Sequence, residues 1–187
     1  MKRKIFLQKI GLIDEIVVEN LRKKLEIIYN KFNIGVEIVP KQLPLPNSEY
    51  NAKRNQYDAA KVKDWLKEHL IEQNHYRILG IIDKDIFSGI YNFVFGIADI
   101  PREKKITLFA LISLTRLKEE FYRRKEDLAL YDLRILKEAI HELGHTFGLG
   151  HCSHLCVMQF SNHLRNTDIK PPNYCETCLD HLMTFFE

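Results

Sequence analysis

The chain has 187 residues, 45% hydrophobic and 28% charged, which suits one soluble domain of ordinary size with a sizeable core. Its 28 basic and 25 acidic residues leave a formal charge of +3, too balanced to argue for a nucleic-acid partner. No stretch approaches the ~20 apolar residues of a membrane span, and the basic opening MKRKIFLQKIGLIDE is interrupted by Lys9, Asp14 and Glu15 with no small-residue cleavage site behind it, so a cytoplasmic protein is expected.

KIFLQKI (4–10) reads as a first strand. Asp14 is placed to cap a helix running to about Phe32, with Ile16, Leu21, Leu25 and Ile28 near helical spacing. VEIV (36–39) is a second strand after Gly35. Residues 40–56 hold three prolines and many polar groups and read as a long surface loop. A second helix is expected from about Tyr57 to Gln73, with Ala60, Trp65 and Leu66 on its buried side. RILGIID (77–83), NFVFGIAD (92–99) and ITLFALISL (106–114) are three more strands. KEEFYRRKED (118–127) mixes both charge signs and reads as a solvated stretch. A further helix starts near Leu128 and stops at glycine, and a short one lies near 176–186. There are no internal repeats. This order predicts an α+β (α/β-like) fold: a mixed, mostly parallel twisted sheet with packed helices. Residues 1–150 would carry the sheet and an active-site helix, and 151–187 a small cysteine-rich part.

The helix from Leu128 ends in HELGHTFGLGHC (141–152). His141 and His145, four apart on a helix, present both imidazoles on one face, where they can hold one metal ion. Glu142 stands beside them, placed to take a proton from a metal-bound water rather than to bind the metal. Catalytic zinc typically has three protein ligands and an open position. Gly148 can take positive φ at little steric cost and turn the chain back, so that His151 becomes the third ligand.

Cys152, Cys156, Cys175 and Cys178 form two close pairs separated by 18 residues, all within the last 36. Such pairs fit a closed tetrahedral zinc site, which would fold a segment poor in apolar residues. Disulfides or free buried thiols are the alternatives, and His154 and His163 could substitute as ligands. Adjacent His151 and Cys152 would tie the two metal sites together. The segment 151–187 has only Arg165 and Lys170 as strong bases, which argues against a nucleic-acid-binding zinc module.

HELGHTFGLGHC, then CVM, then CETC, resembles the archaemetzincins, a branch of the metzincin metallopeptidases. The resemblance implies that His141, His145 and His151 bind a catalytic zinc and that Glu142 is the general base. It implies Met158 as the methionine of the turn beneath that zinc, and the four cysteines as holders of a second, structural zinc. Three residues separate the first two cysteines and sixteen separate Met158 from Cys175, each one fewer than the family pattern, which alters a loop and not the ligand set. The function implied is hydrolysis of peptide bonds by a zinc-activated water, in a monomer acting on peptides or proteins with no membrane or nucleic-acid partner. A zinc-binding protein without peptidase activity, or a hydrolase of another amide, are the rival readings. Strand 92–99, just before a bulge expected at DIPREKK (99–105), is the candidate edge for an extended substrate.

Overall fold

Among the residues described by the computed structural model (3–70, 76–101 and 107–186), eight strands and five α-helices occur. They are β1 (Arg3–Ile10), α1 (Glu15–Tyr29), β2 (Ile34–Ile38), β3 (Tyr50–Asn51), β4 (Gln56–Asp58), α2 (Ala59–Leu70), β5 (Arg77–Ile82), β6 (Ile86–Phe87), β7 (Gly96–Ala98), β8 (Leu108–Ser113), α3 (Leu128–Thr146), α4 (Leu164–Ile169) and α5 (Glu176–Phe186). The main sheet has the order β2-β1-β5-β8-β7. Its first four strands are parallel, and β7 closes one edge antiparallel to β8. The fold is thus the mixed, mostly parallel sheet with packed helices that the element order predicts.

Every residue of β5 and β8 is buried, as expected of strands covered on both faces. Ile5, Leu7, Leu79, Ile81, Ala110 and Ile112 pack towards α1 and α3. Ile10, Ile78, Ile82, Phe109 and Leu111 pack towards α2. None of the described helices is long and apolar enough to cross a membrane.

Several expectations change in detail. Asp14 caps α1 by accepting from Ile16 N at 2.8 Å. The helix buries Val18, Leu21, Leu25 and Tyr29, so Ile16 is left 68% exposed on the other face. The last turn, Asn30–Phe32, is 3-10, ended by Asn33 at φ 56°. Helix α2 buries Ala59, Val62, Leu66 and Leu70, while Ala60 is exposed and Trp65 half-buried. Leu66 and Trp65 keep the expected side, Trp65 packing against the core, while Tyr57 and Asp58 pair with β6, so the helix starts later and Asp58 accepts from Ala60 N to open it. The expected end at Gln73 lies outside the described residues. The long loop carries β3 and β4, too short for an alternation to show in the sequence, and Leu43 bridges to Ile10. Strand 92–99 contracts to β7 because Val94 N donates to Ile86 O, away from the main sheet. Most of the expected bulge, 102–105, lies outside the described residues.

The C-terminal segment is anchored to α3 by charged side chains rather than by apolar ones alone. Arg134 donates to both oxygens of Asp168 at 2.6 and 2.9 Å. Lys137 Nζ donates to the carbonyls of Thr167 and Asp168 at 3.0 and 2.9 Å. Tyr174 donates to Ile140 O at 3.0 Å and meets the Tyr29 hydroxyl at 2.8 Å, so α1, α3 and the cysteine segment share one buried junction. Val157, Met158, Leu164 and Leu182 join the same apolar cluster as β1, β5 and β8.

Candidate metal centre

Helix α3 begins at Asp127, whose carboxylate accepts from Leu130 N at 2.9 Å. Its end is set by Gly148 at φ +88°. Gly148 N donates to His145 O at 3.0 Å and Leu149 N to Gly144 O at 3.1 Å, the paired bonds of a Schellman cap. The chain reverses there, and His151 returns to the helix face that carries His141 and His145. The ring centroids of the three histidines lie 4.7, 5.0 and 5.4 Å apart, and one nitrogen of each falls within 4.8 Å of the others.

Two of the rings are oriented from behind. His141 Nδ1 bonds Val157 O at 2.9 Å, and His145 Nδ1 bonds Leu149 O at 2.8 Å. Donation to a carbonyl leaves Nε2 unprotonated and turned inward, the form a metal ion needs. The two Nε2 atoms stand 3.1 Å apart. Tetrahedral ligands about 2.0–2.1 Å from zinc would be about 3.3 Å from one another, so the histidines fit that ion. Burial lowers the pKa of all three, most strongly at His141, with the Lys170 ammonium adding to the effect. Burial also raises Glu142 well above the carboxylate range, and the charge of Glu138 raises it further.

Glu142 rests against the edge strand. A Cβ on Gly96 would stand 2.6 Å from Glu142 Cγ and 2.7 Å from its Oε1. Only glycine lets β7 pass so close, and a glycine inside the run NFVFGIAD is the sequence sign that could have pointed to it. Between β7 and α3 opens a cavity of about 330 Å³, lined by Glu142, the three histidines and apolar side chains including Phe93 and Phe160. Glu138 also lines it. That residue and Lys170 escaped sequence reasoning because charged side chains in a helix and a loop read as solvent-facing.

Met158 is fully buried next to Val157, whose carbonyl bonds His141, in a turn closed by Gln159 N donating to Cys156 O. A Cβ on Gly144 would come 2.5 Å from Met158 Sδ, so the absence of a side chain at 144 lets the thioether reach the helix.

Cys152, Cys156, Cys175 and Cys178 converge with their sulfurs within 4.8 Å. All four are free thiols. Cys152 Sγ and Cys175 Sγ are 3.7 Å apart, near the about 3.8 Å expected for thiolates at about 2.3 Å from one tetrahedral zinc. Cys156 Sγ accepts from Met158 N at 3.4 Å and Cys175 N at 3.3 Å. Burial would raise Cys175, but the Cys178 N–H and the neighbouring thiols draw it down to about 6. Burial pushes Cys156 and Cys178 up. His154 comes within 3.7 Å of Cys152 Sγ but lies outside the four-sulfur cluster, as does His163, which caps α4.

A model of peptidase family M54 matches residues 1–184. An archaemetzincin of Saccharolobus islandicus is 42% identical over 158 residues, 82% of each chain. One of Pyrococcus furiosus is 40% identical over 188 residues, 97% of this chain and 93% of that one. The crystal structure of an archaemetzincin from Archaeoglobus fulgidus, complexed with malonate, superposes with a TM-score of 0.79 at 34% identity, covering 95% of this chain and 99% of that one. A Bacteroides fragilis metalloproteinase, 12% identical with a TM-score of 0.54 over 98% of this chain and 52% of its own, shares the fold.

Proposed function

This chain belongs to peptidase family M54, the archaemetzincin family of zinc metallopeptidases, and we propose that it hydrolyses peptide bonds at the centre formed by His141, His145, His151 and Glu142. The convergence of three inward-facing imidazole nitrogens beside a buried carboxylate carries this reading. Zinc held by the three histidines would polarise the scissile carbonyl and lower the pKa of water towards about 7. Glu142 takes the proton of the attacking water and returns it to the leaving amine. Burial raises the Glu142 carboxyl above the usual carboxylate range, which strengthens it as the acceptor of that proton. A site that only binds metal has no use for such a carboxylate, whose ionised form is costly in an apolar cavity.

The four cysteines would hold a second, structural zinc. Cys156 and Cys175, so held, would fix the loop that carries Val157 O, and through it the ring of His141. The outer edge of β7 borders the cavity, and an extended peptide can add to it as a further strand. The protein acts as a cytoplasmic monomer.

The test is cleavage of a broad peptide library, read by mass spectrometry, before and after chelation. Loss of cleavage on removing zinc and its return on restoring zinc are expected. Cleavage that persists in the stripped protein refutes the proposal.

A further inference from the structure

Glu138 lies one turn before Glu142 on α3 and faces the same cavity. A lone carboxylate there would favour a basic substrate side chain. The surroundings remove that bias. Thr167 Oγ1 donates to Glu138 Oε1 at 2.9 Å, and Lys170 Nζ lies 3.0 Å from the same oxygen, a charge contact rather than an aligned hydrogen bond. Lys170 and Glu138 are 1% and 2% exposed, so solvent does not screen the pair. Most of the remaining cavity wall is apolar: Phe93, Val94, Phe95, Ile97 and Phe160.

We infer that Lys170 is a specificity-determining residue, which cancels the charge of Glu138 and reserves the cavity beside the histidines for an apolar side chain of the substrate, aromatic or branched aliphatic. The inference rests on the peptidase reading of the site. A basic side chain entering the cavity meets the Lys170 ammonium behind the carboxylate it would seek. An acidic one meets Glu138 itself. Either must shed its water without gaining a partner, whereas an apolar group loses nothing and covers aromatic surface. Lys170 is supplied by the segment after α4, so the substrate preference of the sheet-and-helix part is set by the C-terminal part.

The test uses pentapeptides that differ only at the central residue (Phe, Leu, Lys or Glu), titrated into zinc-loaded Glu142→Ala protein. Binding is followed by NMR shifts of the cavity phenylalanines. The Phe and Leu peptides are expected to bind at least about 10-fold more tightly than the Lys and Glu peptides. Lys170→Met uncovers Glu138 and moves the preference to the Lys peptide. Glu138→Gln leaves the ammonium uncancelled and moves it to the Glu peptide. A folded variant whose preference stays with the Phe and Leu peptides overturns the inference, and if one variant fails to fold the other decides. Equal or tighter binding of a charged peptide to the protein with Lys170 and Glu138 intact, or no shift at the cavity residues with any peptide, also overturns it. The same peptides offered to protein with Glu142 intact separate the two readings: apolar preference in binding without hydrolysis leaves this inference standing and defeats the peptidase reading.

Discussion

Replacing Cys175 by serine should weaken metal binding at the histidines, although no histidine is touched. Cys175 N donates to Cys156 Sγ at 3.3 Å, and its sulfur is 3.7 Å from Cys152 Sγ. Cys156 in turn accepts from Met158 N, and Cys152 N donates to Met158 O at 3.0 Å. Val157 sits between these anchors, and its carbonyl is the 2.9 Å partner that aims His141. Emptying the cysteine site frees that loop and removes the partner. Loss of such an outer-shell acceptor costs about 10–100-fold in metal affinity, which is about 1.4–2.7 kcal/mol. Cobalt substitution separates the two sites, because only the thiolate site gives a sulfur-to-metal charge-transfer band. Titration against a competing chelator then reads the histidine site in parent and variant. Histidine-site affinity within about twofold of the parent, with the cysteine site empty, refutes the coupling.

Gly96→Ala should lower kcat by at least about 10-fold with zinc retained, since the added Cβ displaces the Glu142 carboxyl. In a Glu142→Asp background the same change should cost less, whereas an equal loss in both would mean that Gly96 matters only to the strand. Gly144→Ala should destabilise the zinc-loaded protein by about 1–2 kcal/mol in urea unfolding, because a Cβ 2.5 Å from the buried Met158 Sδ outweighs the gain in helix propensity. Metal-stripped Glu142→Gln protein should lose stability as pH falls below about 6.5. Burial depresses the three histidines in the folded state, so the unfolded chain binds more protons there and acid favours it. The Glu142→Gln change removes an opposing slope, since the raised carboxyl makes the folded state hold the extra proton above about 4.5. Urea midpoints at several pH values check the sign, and a flat profile contradicts it.

The parts of the molecule legible in its sequence are those where a local rule acts alone. RILGII and LFALIS are buried on both faces and read as continuous apolar runs. The Asp14 cap, the Gly148 reversal and the cysteine pairs each occupy a fixed spacing. Features that depend on contacts between distant segments were not visible. A two-residue strand such as β3 is too short for an alternation. Arg134, Lys137 and Glu138 look like a solvated helix face, yet their partners arrive from 30 or so residues downstream and bury them. The spacing places Ala60 and Trp65 on the buried side of α2; Trp65 packs half-buried against the core, but Ala60, in the first turn that Asp58 opens, is exposed. Gly96 passes unremarked inside a run that reads as an ordinary strand, because what approaches it is a side chain from the distant helix α3.

The most direct measurement is the rate of peptide cleavage by Glu142→Ala protein whose zinc content matches the parent. If Glu142 carries the proton, kcat falls by about 100- to 10,000-fold while the histidine-site metal and peptide binding stay in place. A variant that cleaves as fast as the parent contradicts the account, because the buried carboxylate beside the three imidazoles would then have no part in the reaction.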